Sequence, residues 1–311
     1  MGGQPRATSL GIKLLKAGLS PIIFVLLLEL GIRLIGLRAG LFLFPAPTNC
    51  LQRSSLLVLE FQPNCTGKTS GTRISTNELG LRGSALRGDG AMRILALGDS
   101  CTWGWKVNQD ESYPAVLQTL LDQAGLRHRY EVINAGAPGY TSYQGLLFFR
   151  ERLLALKPAI VIIAFGFNDS APNGDVELQL DRMRRVMPII RLDDFLVLHS
   201  QLYRYLRWKT YQRTVQMLPV RVPPEKYRRN LEQMVSLARE HGAKVLLLRF
   251  SPQGPLQAKY LPILQQVATE MAVPVVTYEG PRLDIVHPTA AGYQKFAAEI
   301  LQRLEQEHYV Q

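Results

Sequence analysis

Five short, continuously apolar runs dominate the chain after Ala91: Met92 to Leu97, Tyr130 to Ile133, Ile160 to Phe165, Val245 to Leu248 and Val273 to Val276. Between them lie stretches of helical character, among them Tyr113 to Ala124, Tyr143 to Leu156, Pro224 to His241 and Ala290 to Glu307. A strand that is apolar on both faces must be covered on both, and strands that alternate with helices obtain that cover in a parallel sheet between two helical layers. With 311 residues, 47% of them hydrophobic, the chain has material for one large domain or one domain with additions, and wholesale disorder is excluded. Three cysteines without a CxxC pair or zinc-ligand spacing exclude a disulfide-built scaffold and the common structural metal sites.

In parallel sheets of this kind, reactive groups gather at the carboxyl ends of the strands. The first run ends in Gly98-Asp99-Ser100, which places a hydroxyl in a tight turn before a helix, where backbone N–H groups stabilise negative charge. The second ends in Asn134-Ala135-Gly136-Ala137-Pro138-Gly139, whose glycines let the backbone approach a ligand; of these Gly139 reads as a turn residue. The third ends in Gly166-Phe167-Asn168-Asp169, offering a side-chain amide at Asn168, with Asp169 the better candidate for a helix cap. Near the C-terminus Asp284 stands three residues before His287, a spacing that lets one turn hold the carboxylate against the imidazole nitrogen facing away from a serine. His128, His199, His241 and His308 lack such a partner and read as surface or helix-end residues.

These blocks resemble those of the SGNH hydrolases, the GDSL esterase and lipase family: GDS around Ser100, glycine at Gly136, GxND at Asn168 and DxxHP at Asp284 and His287. The resemblance covers about residues 91 to 311 and implies a three-layer α/β/α sandwich on a five-stranded parallel sheet, the flavodoxin-like arrangement. It implies Ser100, His287 and Asp284 as a catalytic triad and the Ser100 and Gly136 N–H groups with the Asn168 side chain as an oxyanion hole. No metal or organic cofactor is implied. The upstream Asn77-Glu78-Leu79-Gly80-Leu81-Arg82-Gly83 is similar to the segment before the GDS block in membrane-anchored bacterial members. Cys101 departs from the family, many of whose members carry an aliphatic residue after the serine. The implied activity is hydrolysis of acyl esters, O-acetyl among them, of an envelope carbohydrate or lipid. The alternatives are acyl transfer to a polysaccharide hydroxyl by the same triad and a non-catalytic envelope binding or assembly protein.

The segment from Ala17 to Gly36 is apolar apart from Glu29 and Arg33, and twenty helical residues rise about 30 Å, the thickness of a bilayer core. With Arg6, Lys13 and Lys16 before it, residues 1–16 are expected in the cytoplasm, 17–36 as an uncleaved anchor and the rest outside, in the periplasm or at the cell surface. The two charges, four residues apart, are positioned to pair. Residues 37–90 read as a spacer with a short edge strand near Leu56 to Phe61. There Cys50 and Cys65 form a disulfide or remain two free thiols. Of the net charge of +11, most falls between Arg182 and Arg229, where twelve basic residues face three acidic ones with aromatic and leucine residues interleaved. This insertion is expected to form an amphipathic helical cap over the site or against anionic lipid, or else a solvated helical addition. No nucleic-acid partner is expected.

Overall fold

The computed structural model describes residues 7–35, 50–69, 71–88, 90–126, 129–185, 187–214, 217–250 and 257–311. The extreme N-terminus, the end of the expected anchor with the first part of the spacer (36–49), and His128 lie outside them. The chain divides into two units: Met1–Ala46 with Val186–Gln216, and Pro47–Arg185 with Met217–Gln311.

The larger unit opens with two antiparallel hairpins, β1 (Leu51–Ser54) with β2 (Val58–Phe61) and β3 (Thr66–Thr69) with β4 (Thr72–Ser75). The described part of the expected spacer is thus folded into this unit. The physical reason is a small core of its own, in which Cys50, Phe61 and Ile74 close over Trp103, with the Phe61 and Trp103 rings stacked at 4.1 Å. Cys50 and Cys65 are joined in a disulfide, and Cys101 is free and buried.

All five apolar runs form strands of one parallel sheet: β5 (Met92–Gly98), β6 (Tyr130–Gly136), β7 (Ile160–Ala164), β8 (Lys244–Phe250) and β9 (Val275–Tyr278), in the order β6-β5-β7-β8-β9. The last strand begins two residues later than its apolar run. Val273 is spent closing the preceding helix, its N–H donating to Ala268 O, and Pro274 has no N–H to give to a ladder. Helices α3 (Tyr113–Gln123) and α10 (Ala290–Gln306) cover one face, where Ile94, Ala96, Ile160, Ile162, Leu246 and Leu248 meet Leu117, Phe296 and Ile300. On the alternate residues Leu95, Leu97, Val161, Ile163 and Leu247 are equally buried, and α4 (Ser142–Glu151), α8 (Pro224–Glu240) and α9 (Leu261–Glu270) supply the second layer. The register aligns Gly98 with Gly136 on one side and Ala164 on the other, so three strands end level along one edge.

The basic stretch 182–229 is not one cap. Its first residues end α5 (Val176–Arg185) and its last begin α8, both in the larger unit, because the Tyr227 and Leu231 face of α8 is core. Between them α6 (Met187–His199) and α7 (Gln201–Thr214) form a hairpin in the smaller unit, with Val197, Tyr203 and Trp208 packed together and Arg207 paired with Asp193.

The smaller unit also contains α1 (Ala7–Leu34), whose side chains are described from Leu19. Among the described residues no helix is long and apolar enough to cross a membrane. The expected pair is present, Arg33 Nε donating to Glu29 Oε1 at 2.7 Å, but the carboxylate does more. It accepts from Ser200 Oγ (2.8 Å), Gln201 N (2.9 Å) and Leu202 N (2.8 Å), while Arg33 Nη2 donates to His199 O at 2.8 Å. Glu29 therefore caps the N-terminus of α7 from a different helix. Loss of an N-terminal cap costs about 1–2 kcal/mol, so Glu29→Ala should raise the rate of limited proteolysis between Arg204 and Arg213 by on the order of tenfold in the full chain, with Glu29→Gln intermediate. An unchanged cleavage pattern would show that the cap does not hold the hairpin.

Candidate active site

The nucleophile candidate owes its position to a turn that only a residue without a side chain permits. After β5 the chain passes through Gly98 and Asp99 into the single turn α2 (Ser100–Trp103). A Cβ on Gly98 would lie 2.1 Å from Thr102 Oγ1 and 2.8 Å from Ala164 O. Asp99 caps the turn, its Oδ1 accepting from Cys101 N at 2.9 Å, and Gly104 ends it at φ 89°. Ser100 follows the cap, nearly buried. His287 Nε2 is 2.8 Å from Ser100 Oγ, and His287 Nδ1 is 2.9 and 2.8 Å from the two oxygens of Asp284. Asp284 Oδ1 also accepts from Val286 N (3.1 Å) and His287 N (3.0 Å), so the carboxylate fixes both the ring and the backbone that carries it.

Of the three oxyanion groups implied by sequence, Ser100 and Asn168 stand beside this relay. Asn168 Nδ2 donates to Tyr140 O at 3.1 Å and to Asp99 Oδ2 at 3.3 Å, which ties it to the residue preceding the serine. Gly136 does not fit the role. Its N–H already donates to Asn134 Oδ1 at 3.0 Å, and it is buried where a Cβ would meet Trp103 N at 2.3 Å. It is a packing glycine beneath α2. Gly139, read from sequence as a turn residue, does adopt φ 80°, but it is exposed and its N–H has no hydrogen-bond partner among the described residues. Among the described residues no group of three or more His, Cys, Asp or Glu side chains is placed to hold a metal ion.

The GDSL-like lipase/acylhydrolase family model matches residues 96–295, a span that includes Ser100, Asn168, Asp284 and His287. The chain belongs to this family. A stretch of 79 residues is 35% identical to esterase TesA of Pseudomonas aeruginosa, covering 25% of this chain and 38% of that protein, so the chain spans well under half the length of this curated relative. Similar folds are seen in a lipase/acylhydrolase from Enterococcus faecalis (21% identity, TM-score 0.48, 70% of this chain and 96% of that one). The psychrotrophic esterase EstA from Pseudoalteromonas sp. is comparable (18% identity, TM-score 0.47, 70% and 99%).

Around these family motifs the structure adds residues that the sequence did not single out as site residues. Arg82, from the segment before the GDS block, is buried and donates to the carbonyls of Trp103 and Gly104 (2.5 and 2.7 Å) and of Val107 (2.9 Å), bracing the C-terminal end of the serine's helix. Burial lowers its pKa to about 10. Asp169 serves as a cap from outside, accepting from Ser142 N at 2.9 Å at the start of α4. Arg221 donates to Gly139 O at 2.6 Å and to Gln144 Oε1 at 3.1 Å, holding the Gly139 peptide by its carbonyl. Asp169 carried the cap signal already read in the sequence and Arg82 stood in the segment that resembles the one before the GDS block, while nothing in the sequence pointed to Arg221.

Burial pushes Asp99 up to about 7 and Asp169 up to about 6. Burial also raises Asp284, but hydrogen bonds from the His287 backbone and ring outweigh it, leaving this carboxyl below its ordinary value. For His287 burial is the largest influence and lowers the pKa; the Asp284 hydrogen bond opposes it, and Lys106, whose Nζ lies 3.9 Å from Asp284 Oδ2, adds to the lowering. The imidazole is accordingly neutral and able to accept a proton at pH 7. The His287 ring should titrate below 6.5 by NMR. Removing the Lys106 cation in Lys106→Gln relieves repulsion of the protonated ring and should move the titration up, whereas Asp284→Asn removes the group that favours protonation and should move it down. Shifts in the same direction would contradict this arrangement.

Proposed function

We propose that the chain hydrolyses acyl esters through a covalent Ser100 intermediate, with its catalytic unit held outside the cytoplasm by the N-terminal segment. The observation that carries the catalytic reading is the continuous hydrogen-bond path from Asp284 through His287 to Ser100 Oγ, 2.8 Å at each link. Ser100 Oγ attacks the ester carbonyl carbon as His287 Nε2 takes its proton; the C–O bond to the alcohol breaks as His287 returns that proton to the leaving oxygen. Water then attacks the acyl-enzyme with His287 again as base, releasing the acid and restoring the serine. Asp284 keeps the imidazole in the tautomer that presents Nε2 to the serine and stabilises the imidazolium.

The charge on the carbonyl oxygen is met by the N–H of Ser100, the first helical residue, and by the Asn168 amide. The third donor in this reading is Gly139 rather than Gly136. It is the glycine whose N–H has no partner among the described residues, and the next residue, Tyr140, supplies the carbonyl that holds Asn168. Of the two bonds made by Asn168 Nδ2, the 3.3 Å one to Asp99 is the longer, and it is the one an oxyanion would replace.

The anchored location is supported by the apolar composition of 17–36 and the basic residues preceding it. Large apolar side chains on α1, Phe24, Leu26 and Leu27 among them, are exposed within the smaller unit, as expected of a surface matched to lipid. The basic α6–α7 hairpin, tied to α1 at its distal end, then lies at the membrane surface, where anionic headgroups suit its charge. Envelope carbohydrate or lipid esters, O-acetyl esters included, are the substrates within reach of such a site.

With full-length protein in detergent, a serine-directed phosphonate should label Ser100 alone, and labelling should be lost in His287→Ala. Ser100→Ala and His287→Ala should each abolish hydrolysis of 4-nitrophenyl acetate, and Asn168→Ala should lower kcat on the order of 100-fold with little change in KM. Wild-type turnover by folded Ser100→Ala would refute the triad. An acylated sugar product formed in preference to free acid would assign the same triad to acyl transfer. A reporter fused after Gln311 that is active only in the cytoplasm would refute the topology.

A further inference from the structure

At the carboxyl end of β8, Arg249 carries a guanidinium that nothing among the described residues neutralises. Leu246, Leu248 and Phe250 of this strand turn toward the core under α3 and α10, so alternation sends Val245, Leu247 and Arg249 to the opposite, equally covered face. An apolar side chain is the expected occupant there. Arg249 instead lines a narrow cleft together with Asp99, Cys101, Phe167, Tyr227 and Tyr260. Its Nε is buried without an acceptor.

Two other described arginines share that feature, and the comparison is decisive. Arg82 gives its remaining nitrogens to three carbonyls, and Arg282 donates from Nη2 to Tyr278 O at 3.2 Å. Arg249 has no hydrogen bond or ion pair at any nitrogen among the described residues. The polar side chains that share the cleft are engaged elsewhere. Tyr227 Oη donates to Phe165 O and Tyr260 Oη to Val222 O, while the Asp99 oxygens accept from Cys101 N and Asn168 Nδ2. The following stretch, 251–257, contains no Asp or Glu in its sequence.

A partly desolvated cation without a counter-charge is costly, and the cost is offset when a ligand brings the anion. Two walls of the cleft, Asp99 and Cys101, flank Ser100 in sequence, so a group bound there belongs to a molecule presented to the serine. We propose that Arg249 anchors an anionic substituent of the substrate: the ester turned over at Ser100 bears a carboxylate or phosphate, separated from the reacting carbonyl by a short apolar segment that the aromatic walls accept. The planar guanidinium binds either anion through paired N–H donors. This subsite rests on the reading of Ser100 as nucleophile.

The test compares charged and neutral esters that differ only at the far end. For an anion on the acyl side, mono-4-nitrophenyl succinate is set against 4-nitrophenyl butyrate; for one on the alcohol side, acetoxyphenyl phosphate and acetoxybenzoate are set against phenyl acetate. In one arm the wild-type full chain should favour the anion, and Arg249→Met should lower the anionic-to-neutral ratio of kcat/KM by on the order of 10- to 100-fold, chiefly through KM, the scale of a charge-assisted hydrogen bond. Arg249→Lys should retain part of the preference, and added salt should weaken it. An unchanged ratio in both arms overturns the proposal while leaving the triad intact. Calorimetric binding of the same anionic esters to Ser100→Ala and to Ser100→Ala/Arg249→Met reads the cleft without turnover. Tighter binding with Arg249 present supports the subsite, and equal binding overturns it. Failure of the triad itself is seen separately, as absent hydrolysis of the neutral esters and absent phosphonate labelling in the wild type.

Discussion

Two glycines facing each other across adjacent strands set the distance on which the site depends. The register pairs Gly98 with Gly136, and the short helix α2 lies directly over both. A side chain at Gly98 would strike Thr102, and one at Gly136 would strike the backbone of Trp103 and Thr102, at 2.3 and 2.7 Å. Because neither carries one, α2 begins directly at the end of its strand, at the carboxyl edge of the sheet. The same closeness brings Cys101 O within 2.8 Å of Tyr293 Oη on α10. That helix directly follows the Asp284–His287 turn, so serine and histidine, 187 residues apart in sequence, are referred to a common support.

The polar groups around this support are buried, and burial makes each partner matter. An unpaired buried charge costs several kcal/mol, roughly 3–5 kcal/mol when one member of a pair is removed. The structure meets that cost largely with backbone groups. Arg82 is held by three carbonyls at the C-terminal end of α2, where a cation also complements the helix dipole. Asp169 takes the first N–H of α4, and Arg221 takes the carbonyl of Gly139. Since Val222 N donates to Asp169 O, the loops after β6 and β7 and the start of the second helical layer form one network. A donor set anchored this way needs little reorganisation as charge develops on a substrate.

The sheet was legible in the sequence because its signal is local: a strand buried on both faces must be apolar throughout, and five runs of that kind left one architecture. Ser100, His287, Asp284 and Asn168 were legible for a related reason, each standing at a strand end or terminal turn in a recurring block. The glycine proposed for the oxyanion hole was not. Gly136 and Gly139 belong to one block, and what separates them is the Asn134 side chain that consumes one N–H, a contact no spacing encodes. The hairpins before β5 read as a spacer because their apolar residues are few; their core is completed by Trp103 from far along the chain. The basic insertion misled for the opposite reason. Its composition is uniform, yet the helix beginning at Pro224 belongs to the sheet's covering layer, where Tyr227 and Leu231 are buried, and composition does not register that change of surroundings.

Glu29 and Arg33 show how a tertiary contact reverses the meaning of a residue. Within an apolar helix two charges argue against a dry environment, and their i,i+4 spacing removes only part of that objection. Here both carboxylate oxygens are spent, one on Arg33 and Gln201 N, the other on Ser200 Oγ and Leu202 N, while Arg33 takes the last carbonyl of α6. The pair therefore satisfies backbone groups at the break between α6 and α7 that would otherwise be orphaned. In a low-dielectric medium such groups are harder to satisfy than in water, so a carboxylate that serves them is better tolerated there, and its value as a connection between helices rises. On this argument the two charges count toward the association of α1 with the hairpin rather than against an apolar setting for α1.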